Sequence, residues 1–357
     1  MKKIVILLLG TALSLQACHK ASNNTSSEDY TTLEAEVLND FVQKIALPQY
    51  NDLQLKATAF NAAIVQLNAN PTDVNLTAAR QNWRDVRQGW EQCEGFLFGP
   101  VEDDNYDPQM DTWPVDNVQL DSLMASSNPL GITDIQNLST LSLRGFHPIE
   151  YILWGRDGNS TAASITAREK QYMISLSADI VNNTTNLNNS WLASGSNFQN
   201  DVLNAGKGST RFKSRQEAFL AIAGAMIDIC GEVGDSKMGE PYSAYDSTIT
   251  ESRFSHNSIA DFRNNIIGAQ NVYLGTYGGA SGKSLSALVA AKNISLDNQI
   301  KAQFTAAINS FNNISTTFEQ GIYSQRTQIQ NSITALSTLS QTLDAQLLPF
   351  IKQYIKD

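Results

Sequence analysis

One of the three histidines in the chain stands three residues before a glutamate, in Arg144-Gly145-Phe146-His147-Pro148-Ile149-Glu150. Pro148 suits the first helical position, where no N–H is needed. That puts His147 at the N-cap and Glu150 one turn on, facing the same side. An imidazole and a carboxylate at i and i+3 can converge on one cation, as in helical Glu-x-x-His metal sites. The same spacing also suits a capping box, in which Glu150 folds back on the helix start and no metal is involved. A second set, Arg84, Arg87, Glu91 and Glu94, falls on a stripe about 80° wide at about 100° per residue, beside Trp83 and Trp90. Charges bordering two indoles fit a buried or cleft-lining network; the alternative is a surface ladder of i, i+4 pairs. A third set begins at Glu251-Ser252-Arg253-Phe254-Ser255-His256-Asn257-Ser258. There Ser258 and Asp261 read as an S-x-x-D cap, Asp261, Asn265 and Gly268 share a polar stripe, and His256 reads as an inert residue ahead of a helix. The acidic run from Glu102 to Asp107 lacks the glycine and the closing glutamate of an EF-hand loop.

The elements that must position these residues are helical. Leu33, Val37, Phe41 and Ile45 recur every four residues, and Pro48 is expected to kink or end that helix. Further helical runs are read at 52–68, 73–95, after Pro148, and at 166–182, with an irregular stretch over 99–120. From Asn182 to Ser209 the chain turns rich in Asn, Ser, Thr and Gly, and the domain boundary is placed there. Phe219, Ile222, Met226, Ile229 and Val233 then step by three and four. Later helices are read at 258–274, 296–320 and 325–356, the last kinked at Pro349. No period-two alternation suggests strands. The reading is an all-α protein of two helical-bundle domains packed against each other, residues 31–195 and 205–357.

The first residues point to export. Lys2 and Lys3 precede a short apolar run, Ile4 to Leu15, too short to span a bilayer but suited to a secretory signal. Leu15-Gln16-Ala17-Cys18 resembles the bacterial lipobox, in which the cysteine takes a lipid and becomes the mature N-terminus. Residues 1–17 are thus read as a lipoprotein signal peptide, and 18–30 as a lipidated Cys18 with a polar tether. His19 in place of aspartate after the cysteine favours the outer membrane, periplasmic face. The chain carries a formal charge of −10, and losing Lys2 and Lys3 makes the mature form more acidic still. Such a surface excludes nucleic acid as a partner and attracts cations. Only Cys93 and Cys230 remain besides Cys18; without CxxC spacing they make no zinc knuckle, while export would permit a disulfide between them.

Gly145-x-His147-x-x-Glu150 resembles the GxHxxE motif of the imelysin-like family. Trp83…Arg87…Trp90-Glu91…Phe98-Gly99-Pro100 and Asp111-Thr112-Trp113-Pro114 resemble the segment ahead of that motif, and Glu251-Ser252-Arg253-Phe254-Ser255…Asp261 the segment after it. The similarity covers nearly the whole mature chain. It implies a two-domain helical protein, lipid-anchored or periplasmic, with the motif near the domain interface. Some members of the family are classed as metallopeptidases, and others are linked to iron regulation and iron uptake. His147 and Glu150 are then the expected metal ligands, with Arg87, Glu91, Glu94, Arg253, Ser255 and Asp261 lining the same cavity. His147-x-x-Glu150 with a distant His256 is similar to zinc carboxypeptidases, but those have a mixed α/β fold. The chain also lacks HExxH, and with Glu150 spent as a ligand no general base is marked. A binder of a divalent metal ion, iron or zinc, is therefore favoured over an imelysin-type metallopeptidase; a structural or interaction lipoprotein without metal is the third reading. The expected partners are the membrane, through lipid on Cys18, and iron-uptake components. Cys18→Ser should leave the precursor uncut and without lipid; substituted protein that still fractionates with outer membrane after high-salt washing would refute the lipobox reading.

Overall fold

The computed structural model describes residues 27–356. The leader, Cys18 and the tether as far as residue 26 lie outside the described residues. No described helix is long and apolar enough to cross a membrane. The fold is all-α, as expected. The only strands among the described residues are a two-stranded antiparallel hairpin, β1 (Thr276–Tyr277) and β2 (Ala280–Ser281).

The main helices are α1 (Ser27–Asp40), α2 (Leu47–Ala69), α3 (Asp73–Cys93), α4 (Phe146–Trp154), α5 (Ala167–Trp191), α6 (Arg215–Glu232), α7 (Ser258–Leu274), α8 (Ile294–Ser310) and α9 (Arg326–Thr342). On α2 the buried residues Tyr50, Leu53, Ala57, Phe60, Ile64 and Leu67 alternate steps of three and four. Leu76, Ala79, Trp83, Val86, Trp90 and Cys93 do the same on α3. Each helix therefore carries one apolar stripe, and α2 packs against α3 and α5, with α4 laid against α3 and α5. In the second half α6 and α8 each pack against α7 and α9. The α3–α7 contact joins the two sets. It is very close: a Cβ on Gly268 would lie 2.2 Å from the Gln92 carbonyl oxygen, and one on Gly95 would lie 2.4 Å from the Gly268 backbone. Cys93 and Cys230 are both buried free thiols.

Three local expectations change. The polar stretch after residue 182 is helix as far as Trp191. Its buried hydroxyls bond backward along the helix, Thr184 to the Ile180 carbonyl at 2.9 Å and Ser190 to that of Leu187 at 2.7 Å, while Asn188 donates to Gln54 on α2 at 2.6 Å. Composition placed a domain boundary from residue 182 on, but satisfied polar groups can be buried in a helix. Beyond α5, Phe198 packs on Trp191 (ring centroids 4.9 Å apart) and on Phe212 (6.2 Å). Pro48 does not end its helix, and the helix also runs on through Pro349, as read from the sequence; each proline follows a π-helical turn, Phe41–Ala46 and Leu343–Leu347. A third such turn, Val233–Lys237, precedes Pro241. In each case the residue four positions before the proline lies inside the π turn. A proline ring collides with that carbonyl and cannot donate to it, and the extra residue moves the carbonyl aside. Finally, α4 starts at Phe146 with Gly145 as its cap, and α7 is capped by Asn257. His147 and Ser258 thus sit inside their helices and are not caps.

The close α3–α7 approach makes a paired test. Gly268→Ala should destabilise the protein by about 1–3 kcal/mol, as overpacking does. Gly224→Ala on α6, where a Cβ meets nothing within 4 Å, should stabilise it by about 0.5–1 kcal/mol. Equal effects of the two in urea unfolding would show that the crossing is not tight.

Candidate functional site

Where α3 meets α7, two polar stripes face each other. Arg87, Glu91 and Glu94 stand at i, i+4 and i+7 along α3 and the 3-10 turn (Glu94–Phe96) that follows it. Asp261, Asn265 and Gly268 repeat that spacing on α7. Asn265 Nδ2 donates to Glu91 Oε2 at 2.5 Å and to Glu94 Oε2 at 2.6 Å. α4 adds His147 and Glu150, and Asp111 comes from the end of a short helix, Tyr106–Met110. Lys237 comes from the π turn ahead of Pro241, and Glu251 from the turn before α7. All of these side chains are buried.

The GxHxxE segment is held from three sides. Gly145 has φ +81°, and a Cβ there would lie 2.0 Å from the Met110 carbonyl oxygen. Only glycine lets α4 begin against the residue next to Asp111. Arg144 grips Asp179 of α5 through two bonds, Nε to Oδ2 at 2.6 Å and a terminal nitrogen to Oδ1 at 3.0 Å. The Trp83 indole donates to the Phe146 carbonyl at 3.1 Å.

His147 lies between two carboxylates, with Nδ1 3.0 Å from Glu150 Oε2 and Nε2 2.9 Å from Asp111 Oδ1. The other Glu150 oxygen accepts the N–H of Phe254 (3.0 Å), the N–H of Ser255 (2.8 Å) and the Ser255 hydroxyl (2.7 Å). Glu150 therefore serves the imidazole and the 254–255 turn. No side chain caps α4, so the capping-box alternative falls. Nor does Asp261 cap α7: its carboxylate accepts from Ser252 Oγ at 2.5 Å and Asn257 Nδ2 at 2.8 Å. The surface-ladder alternative for α3 falls too, since the buried Arg87 guanidinium donates to Asp111, Glu91 and Glu251 and lies 3.7 Å from Asp261. Trp90 Nε1 donates to the second Asp111 oxygen at 2.7 Å.

Carboxylates outnumber cations here. Glu91, Glu94, Asp111, Glu150, Glu251 and Asp261 share Arg87, Lys237 and the His147 ring. Burial pushes Glu251 up, and Glu94 and Asp261 well up. Burial and the Asp111 charge lift Asp107, just outside the cluster, to about 7. Burial alone would favour protonated Asp111, yet Arg87 and His147 hold it far below the usual carboxylate range. Burial would likewise lower His147, but its bonds to Asp111 and Glu150 outweigh that and raise it to about 9. Two acceptors are left over: Glu251 Oε2 and Asn265 Oδ1 are buried without a hydrogen-bond partner. Asp111, His147 and Glu251 each offer one ligand atom, all within 4.8 Å of one another, as do Glu91–Glu94–Asp111 and Glu91–Glu251–Asp261.

Of the residues singled out from sequence, the structure brings His147, Glu150, Arg87, Glu91, Glu94, Ser255 and Asp261 together. Arg253 is not among them; its guanidinium donates to the Thr248 carbonyl at 2.9 Å and lies over the Phe254 ring. His256 stands apart as well, half-exposed and 3.0 Å from Glu319. Sequence reasoning missed Asp111 and Lys237 as members of the site and did not single out Glu251. Asp111 had a usable signal, since it opens the Asp111-Thr112-Trp113-Pro114 motif; nothing marked Lys237.

The family model for Imelysin (Peptidase M75) matches residues 46–343. Iron-regulated protein A of Synechococcus elongatus is 29% identical over 322 residues, which span 89% of this chain and 86% of that one. The crystal structure of a candidate iron-regulated protein A precursor from Parabacteroides distasonis superposes with a TM-score of 0.80 at 26% identity, covering 91% of this chain and 95% of that one. An imelysin-like protein from Psychrobacter arcticum shares the fold, with a TM-score of 0.72 at 13% identity over 92% and 96% of the two chains. With most of its length inside the family match and its motif at the seam between two sets of helices, the chain belongs to the imelysin family.

Proposed function

We propose that the chain binds a divalent metal ion, iron foremost, at Asp111, His147 and Glu251, and serves iron handling in the cell envelope. The observation that carries this reading is the convergence of three ligand atoms from three separate segments, beside a buried Glu251 oxygen that has no partner. His147 fits the role. Glu150 on Nδ1 fixes the ring, in the manner of the carboxylates behind metal-bound histidines, and Nε2 faces Asp111. With carboxylates on both nitrogens, the ring must carry two protons unless a cation takes the place of one. Glu150 acts here as the orienting group behind His147, because both its oxygens already accept from protein donors. One imidazole with carboxylates suits iron, manganese or zinc, and an ion held there would supply a fixed positive charge or Lewis acidity. The names of the similar iron-regulated proteins favour iron. Lipid on Cys18 would hold the body at the periplasmic face of the outer membrane, within reach of iron-uptake components. Hydrolysis is less well supported, because the glutamate of the motif is not free to act as a general base: Glu150 is tied to His147 and the 254–255 turn.

Elemental analysis and metal titration of the full chain test this. Wild type should hold one equivalent, and His147→Ala should lose it with its helix content intact. Glu150→Gln should bind about 10–100-fold more weakly, the usual effect of disturbing a group behind a ligand. If both variants bind as wild type does and only melt earlier, the cluster is structural.

A further inference from the structure

Lys237 is buried, and its ammonium lies 2.9 Å from Glu94 Oε2, 3.1 Å from Glu251 Oε1 and 3.5 Å from Glu91 Oε2. These are carboxylates of the overlapping ligand-like triads described above. A single positive centre among several carboxylate oxygens is the arrangement a hard cation adopts. Were the lysine there only to neutralise the cluster, the remaining acceptors should be satisfied, as buried polar groups almost always are. Glu251 Oε2 and Asn265 Oδ1 are not. The ammonium and an ion held by Glu251 would lie too close to share that carboxylate without strong mutual repulsion. The segment that carries Lys237 is a π turn, a form common at functional sites, with Gly234 inside it and Gly239 just beyond. Lysine is also the cation suited to leaving, since its charge rides on a flexible four-carbon stem.

We propose that Lys237 is a placeholder cation. It occupies the carboxylates of Glu91, Glu94 and Glu251 while no metal is bound, and a divalent ion enters by displacing its ammonium, which leaves with its proton and charge. The site then works as an ion exchanger, and Lys237 weakens its affinity. This inference rests on the metal-binding reading above.

Mn²⁺, a redox-stable hard cation, is the probe, and the full chain is the sample. Lys237→Met should bind Mn²⁺ at least tenfold more tightly than wild type. Without metal it should melt below wild type, and Mn²⁺ should raise its Tm by more than it raises that of wild type. Lys237→Arg, which keeps the charge, should not show the gain in affinity. Wild type supplies a reading that needs no variant: reductive methylation followed by mass spectrometry should find Lys237 protected without metal and modified in its presence. Lys237 equally protected in both states overturns the exchange, even if Lys237→Met fails to fold. So does wild type that binds Mn²⁺ while Lys237→Met binds it no better. If neither folded protein binds Mn²⁺, the metal-binding reading fails and this inference with it.

Discussion

The arrangement depends on a guanidinium that cannot discharge itself. Arg87 is fully enclosed, and arginine does not give up its proton inside proteins. Taking it out of water costs several kcal/mol unless carboxylates receive its hydrogens. Its own helix offers only Glu91. Asp111, Glu251 and Asp261 come from three other segments, and the ring faces of Trp83 and Phe146 close over the remaining sides, 5.8 and 5.2 Å from the charge. The two terminal nitrogens of the guanidinium find their carboxylates only once all these segments have arrived. One charge thereby makes the meeting of the two helix sets a single cooperative event.

That debt accounts for some of the acids in the seam but not for all of them. A purely structural network would stop when charges balance, and this one continues to Glu94 and Glu150. The surplus is arranged with polarity, an imidazole on one flank and an ammonium on the other. Both flanking groups are of the kind that can exchange a proton or a position for a metal ion. On the proposed reading, their placement, more than the number of acids, is what would separate a binding centre from a knot of salt bridges.

Much of this was legible in the residues. The stripes on α3 and α7 follow from helical periodicity, and the polar groups on them are spaced alike, so their meeting could be expected. The pairing of His147 with Glu150 is equally local. Asp111 was hidden because it lies in an irregular stretch where spacing does not separate it from Asp103, Asp104 or Asp107. Lys237 was hidden because ordinary helical periodicity does not hold through a π turn. Arg253 was over-read: it shares a turn with Glu251 and Ser255, but a turn sends neighbouring side chains to opposite sides. The two misplaced caps were errors of two residues, His147 for Gly145, and of one, Ser258 for Asn257, enough to exchange a role at a helix end for one inside the helix. The end of α5 was missed because composition registers polarity without registering whether each polar group has a partner.

Each π turn also constrains how the chain can change over evolutionary time. One extra residue advances everything downstream by about 100° around the helix axis, so the turn before Pro241 sets the rotational phase in which Lys237 faces the carboxylates. Remove the extra residue and keep the proline, and the ammonium swings away from them. Remove the proline and keep the extra residue, and the helix holds a distortion that nothing requires. The proline and the insertion are therefore coupled through one geometry, and loss of the insertion would leave the acids to be faced by a different residue.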